Sequence, residues 1–160
     1  MTPAPSLAAA VALLRDVSRS YGAVSDADLL SFVDVAGEAV RLADAHLALI
    51  AGEVSRRSTH ELGATGLARR AGARTTEELL TRVTGAPGRD VVTAVRVGRL
   101  APDSVLGGAI IDGAVSVPAA DAIRAGLDGT AADPRLVEEA TALLCAVSYT
   151  HLTLPTNREV

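Results

Sequence analysis

The sequence predicts an all-α protein, a helical bundle organised by one long helix over about 26–56 with several shorter helices beside it. Three observations predict it. Apolar residues recur every three or four positions from Leu29 to Val54, and helix-start signals recur at Ser25, Thr75, Ser116 and Asp133. The hydrophobic fraction is 49% while aromatics are only 2%, so Ala, Val and Leu must fill the core, which suits closely packed helices better than aromatic-rich strands. A length of 160 residues suits one domain with a real core.

Residues 6–18 read as a short Ala-rich amphipathic helix, followed by a loop around Tyr21-Gly22, so 1–24 is an N-terminal arm. Ser25-Asp26-Ala27-Asp28 then resembles an N-cap with acids in the first turn, where they oppose the helix dipole. On the long helix, Leu29, Val33, Ala36, Val40, Ala43, Leu47, Ile50 and Val54 are spaced alternately by four and three. Phe32, Val35, Ala39, Leu42, His46 and Leu49 run beside them, and together the two stripes predict a wide buried face. The pattern serves an intramolecular bundle or a dimer seam equally well.

Glycines punctuate the next stretch, which holds at most one short helix around Leu67 to Ala71. Thr75 and Glu78 form a capping box that opens a helix through Val83. Gly85-Ala86-Pro87 breaks it, and Pro87 starts another helix that runs to about Leu100 with Val91, Val92 and Val95 inward. Helix, tight turn, helix is the outline of a helix-turn-helix. Residues 103–112 are expected to be helical up to Gly113 as the residue past the helix end. Ser116 caps a helix carrying Ile123 and Leu127 to the core, and Asp133-Pro134 starts one carrying Leu136, Val137, Ala140, Leu143 and Leu144.

The helical domain is expected to span 25–146. Alanine is abundant up to Ala146 and absent from 147 to 160. Val147-Ser148-Tyr149-Thr150-His151-Leu152-Thr153-Leu154-Pro155-Thr156 reads as a translated transposon-type sequencing adapter. Residues 147–160 are therefore expected to be non-native, with the natural chain continuing past Ala146, and they receive no functional role.

A net charge of −4 argues against a protein that coats nucleic acid through bulk positive charge. All fifteen basic residues are Arg, as a high-GC genome would favour. One cysteine, Cys145, excludes an internal disulfide and a multi-cysteine zinc cluster, and reads as a small core residue. The N-terminus makes a poor signal peptide and no apolar run is long enough to span a membrane, so the expected location is the cytoplasm.

No catalytic residue is predicted. His46 reads as a half-buried packing residue and His60 as an exposed loop residue, with no second ligand to make a zinc site. No serine lies in a nucleophile elbow, no phosphate loop exists, and Glu138-Glu139 are adjacent helical positions about 100° apart. Charge is uneven, however. Between Arg56 and Arg99 nine Arg face four acids, a net +5, whereas the remainder carries six Arg and fifteen acids, a net −9. Arg89, Arg96 and Arg99 fall within about 80° of one another on the predicted helix. Arg74, Arg82, Arg89, Arg96 and Arg99 are the candidates for DNA contact, against the plainer reading of a solvated surface or partner interface.

From Ser25 to Leu144 the order of features resembles the domain-of-unknown-function family 222. The matching segments are Asp28-Leu29-Leu30, Glu53-Val54-Ser55-Arg56-Arg57, and Gly72-Ala73-Arg74-Thr75-Thr76-Glu77-Glu78-Leu79-Leu80, with Leu79 where the family often has Trp. Arg89 to Leu100, Leu106 to Ser116 and Ala122-Ile123 also match. The family is widespread in high-GC Gram-positive bacteria and usually sits N-terminal to an HNH endonuclease domain. The resemblance implies a non-catalytic accessory domain of an HNH endonuclease that assists engagement of duplex DNA. A divalent metal is expected only in the HNH part, and no catalytic residue carries over. The alternative is a protein-interaction module that self-associates through the long helix.

Overall fold

The computed structural model describes residues 4–17, 21–128 and 133–153. Every regular element among them is helical. Eight α-helices follow in order: α1 (Ala4–Asp16), α2 (Asp26–Arg56), α3 (Leu67–Arg70), α4 (Thr76–Thr84), α5 (Gly88–Val97), α6 (Val105–Ile111), α7 (Val117–Leu127) and α8 (Pro134–Thr153). A 3-10 segment that the periodicity does not announce covers His60–Thr65, kinked at Gly63. The expected all-α architecture with one long helix is observed. Residues 154–160, the end of the expected adapter tail, lie outside the described residues. The chain divides into two compact units, 1–36 and 37–160.

In the first unit, Ser25 caps α2: its Oγ accepts from the Asp28 N–H at 3.2 Å and donates to the Asp28 carboxylate at 2.7 Å. The Tyr21 and Phe32 rings meet edge to face, 6.1 Å between centroids. No described residue of this unit is buried.

The second unit holds the core: Ala45, Ala48 and Ala51 of α2, Leu80 of α4, Val91, Ala94, Val95 and Val97 of α5, Leu106 and Ile110 of α6, Val115 in the turn before α7, Val117 and Ala120 of α7, and Cys145 of α8. It contains no aromatic ring, as the composition requires. Helix α5 packs against α4 and α7, while α8 closes over α6 and α7. Each buried Val, Leu or Ile contributes about 1.5–3 kcal/mol.

Local signals place most helix starts. Thr75 Oγ1 accepts from the Glu78 N–H at 3.1 Å, and the Glu78 carboxylate accepts from the Arg74 N–H at 2.7 Å, one residue earlier than a strict capping box. Ser104 and Ser116 cap α6 and α7 in the same way, through the N–H groups of Gly107 and Ala119. Pro87 precedes the first helical residue of α5 rather than occupying it. Gly113, at φ 69°, ends the turn after α6, and its carbonyl accepts from Arg41 Nε at 2.8 Å.

The buried face of α2 differs from the expected one. Its buried residues are Ala45, Ala48, Ala51, Gly52 and Ser55, whereas Val40 and Ile50 are 59% and 46% exposed. The cause is a backbone-to-backbone crossing with the end of α5. A Cβ on Gly52 would lie 1.9 Å from the Gly98 carbonyl oxygen, and a Cβ on Gly98 would lie 1.9 Å from that of Ala48. Only small residues allow this approach, so the seam is held by close packing of main chain rather than by large side chains. Helix α8 shows a similar correction: Thr141 and Cys145 are buried, while Leu136, Leu143 and Leu144 are exposed. On α5, Val91 and Val95 face inward but Val92 is 40% exposed. His46 is exposed, not half-buried, because the small-residue face turns it outward.

Candidate nucleic-acid interface

The five candidate arginines divide by what already holds them. Arg82 donates to the Ala71 carbonyl at 2.6 Å and to that of Gly72 at 3.2 Å, so its guanidinium fastens the turn ahead of α4. Arg96 reaches α7, where Asp121 accepts at 2.7 Å and also accepts from Arg124 at 3.2 Å. Arg99 crosses to α2 and donates to Ser55 Oγ at 2.6 and 3.3 Å. Arg89 is solvent-facing, its side chain 87% exposed beside Asp90. The expected arginine stripe on α5 is therefore divided. Four of the ten residues of α5 are buried, among them Val91 and Val95, so one face of the helix belongs to the core.

Arg74 and Arg99 nevertheless come together, with a residue the candidate set lacks. A groove of about 660 Å³ is lined by Arg69, Arg74 and Arg99, with His60 and hydroxyl residues that include Ser58, Thr59 and Thr75. Glu77 is its one carboxylate, so three guanidiniums face a single opposing charge. The guanidiniums of Arg69 and Arg74 make no hydrogen bond or ion pair among the described residues. Local structure builds the walls: the Leu67 N–H donates to the Arg57 carbonyl at 2.8 Å and the Ala68 N–H to Ser58 Oγ at 3.0 Å, which seats α3 beside the end of α2. Arg69 belongs to α3, and Arg74 immediately precedes the Thr75 cap. Next to His60, the Glu61 carboxyl is held below the usual range by its own backbone N–H and by the Thr59 hydroxyl.

A second groove, of about 560 Å³, has the opposite character. Leu47, Leu80, Val91 and Val117 give it apolar walls, and its charged lining residues are Asp44, Asp90 and Asp121. It does not suit a polyanion. Cys145 is buried, and burial pushes its thiol above the usual range, which leaves it an unreactive core residue. Among the described residues no group of three or more His, Cys, Asp or Glu is placed to hold a metal ion, and no helix is long and apolar enough to cross a membrane.

Sequence reasoning missed Arg69 because it weighed helical stripes, and Arg69 meets Arg74 only through the fold of the glycine-punctuated segment. The density of arginine between 56 and 99 was the available signal. Compared with protein-family models, curated proteins and solved structures, the chain matches none of them.

Proposed function

We propose that this chain is a non-catalytic helical accessory module of an HNH-type endonuclease, and that it engages the phosphate backbone of duplex DNA through the groove of Arg69, Arg74 and Arg99. The observation that carries the reading is the convergence of these guanidiniums with His60 and several hydroxyls around one carboxylate. Guanidiniums and hydroxyls are the groups that contact phosphate oxygens, and such contacts position a protein on DNA without reading its sequence. The net +5 between Arg56 and Arg99 supplies a local field although the whole chain is acidic. The parent class rests on the family resemblance of residues 25–144, and strand cleavage with its divalent metal belongs to the HNH part.

Fluorescence anisotropy with a labelled duplex at several salt concentrations tests the reading. The chain should bind at low salt with an affinity that falls steeply as salt rises. The double variant Arg69→Ala/Arg74→Ala should bind more weakly, and its log–log salt slope should be shallower by about 2, one unit for each phosphate that is no longer neutralised. No binding at low salt, or an unchanged slope in the double variant, overturns the proposal.

A further inference from the structure

The groove of about 560 Å³ between α2, α4, α5 and α7 lies wholly in the second unit and shares no residue with the arginine groove. Its size falls within the roughly 300–1,000 Å³ of pockets that take small organic ligands. Leu80, Val91 and Val117 line it as buried residues, so its inner surface is apolar and cut off from water. Among the described residues no aromatic ring and no arginine lines it, and its charged side chains are Asp44, Asp90 and Asp121.

The three carboxylates are not equally committed. Asp121 accepts from Arg96 at 2.7 Å and from Arg124 at 3.2 Å, and its side chain is only 16% exposed. Asp90 has one partner, Arg89, at 3.2 Å in a solvated pair that holds little energy. No hydrogen bond or ion pair among the described residues engages Asp44, which is exposed on α2. The groove thus joins an apolar interior to one carboxylate with no counter-charge. That combination suits a ligand with a single positive charge and an apolar body, and it repels an anion.

We infer that this groove binds a small apolar monoamine, with the ammonium at Asp44 and the hydrocarbon against Leu80, Val91 and Val117. A primary ammonium has N–H groups that donate to a carboxylate, and such charge-assisted bonds are the strong ones. A quaternary ammonium lacks those donors and is recognised instead by aromatic cages, for which this groove has no ring. An alkylamine is protonated at neutral pH, as lysine is. The site is independent of the DNA reading, because none of its residues lines the arginine groove.

Titration of the isotopically labelled full chain with hexylamine, followed by backbone amide NMR, tests it. Amides around Asp44, Val91 and Val117 should shift in a saturable way. Affinity should rise from propylamine to hexylamine by up to about fourfold per methylene, as burial of the chain requires. Hexanol and hexyltrimethylammonium should bind more weakly, and hexanoate should not bind. Asp44→Asn should weaken hexylamine about tenfold and leave hexanol unchanged; the side chain is exposed and unengaged, so the fold is kept. Ala122→Leu, which fills the groove from an exposed position on α7, should block both ligands while circular dichroism stays that of the parent. No saturable shift with hexylamine, equal affinity for hexanol, no gain with chain length, or undiminished hexylamine binding in either variant overturns the inference. Arg69→Ala/Arg74→Ala should bind hexylamine as the parent does, so failure of the DNA reading leaves this one standing.

Discussion

Arg99 donates two hydrogen bonds to the Ser55 hydroxyl, at 2.6 and 3.3 Å, and so ties the end of α5 to α2 across the wall of the arginine groove. Ser55 is itself buried, at 6% exposed. Ser55→Ala should cost about 1–2 kcal/mol in chemical denaturation, because a charged donor loses its acceptor. The guanidinium stays at the groove with its charge, so affinity for duplex DNA should be retained. Loss of DNA binding in a folded Ser55→Ala variant would show that the position of Arg99 matters more than its charge.

Arg82 and Arg74 give opposite readouts although both were candidates for DNA contact. Arg82→Ala removes the two bonds to the carbonyls of Ala71 and Gly72 and should lower stability by about 1 kcal/mol with little change in DNA affinity. Arg74→Ala should leave the thermal midpoint near that of the parent and weaken DNA binding, because no hydrogen bond or ion pair among the described residues engages its guanidinium. Melting curves and anisotropy on the same two variants check the split.

Neighbouring glycines on α6 should respond in opposite directions. A Cβ on Gly107 would lie 2.2 Å from the Ala101 carbonyl oxygen, whereas one on Gly108 would meet nothing within 4 Å. Gly107→Ala should destabilise by about 1–3 kcal/mol through overpacking. Gly108→Ala should stabilise by about 0.5–1 kcal/mol, the gain of replacing a helical glycine that needs no special backbone angle. Urea denaturation midpoints of the two variants decide it.

Glu53 sets a pH dependence at the end of α2. Hydrogen bonds from Arg56, and then from Arg57, lower its carboxyl from the ordinary 4.5 to about 2. A folded value below the unfolded one means that its contribution is fully present above about pH 4.5 and is lost as pH falls through about 2. Glu53→Gln should therefore flatten the thermal midpoint across that window and leave the neutral-pH slope unchanged. The effect should be small and should shrink with added salt, because the three side chains are solvent-exposed. An unaltered acid limb in the variant would contradict this assignment.

The elements most legible in the sequence are those fixed within a few residues. The Thr75–Glu78 exchange, the Ser116 cap with Pro118 behind it and the Gly113 turn each depend on a hydroxyl, a ring or a missing Cβ at a set offset. The buried side of α2 was not legible, because it depends on Gly98, far along the chain, meeting Gly52. Hydrophobic periodicity weighs large side chains and passes over a face of Ala, Gly and Ser. The arginines were legible as a charge excess but not by their partners: nothing local tells that Arg96 will reach Asp121 while Arg74 stays unengaged. The 3-10 segment at His60–Thr65 gave no signal because its kink at Gly63 breaks any regular period.

The meeting of Gly52 and Gly98 also restricts how this chain can change over generations. In an ordinary core, a bulkier residue at one position is offset by a smaller one opposite it. Here the partner atoms belong to the main chain and both residues are already the smallest available, so neither position holds a compensating substitution for the other. A lineage that lost either glycine would have to move the two helices apart, and repacking α5 against α4 and α7 would follow.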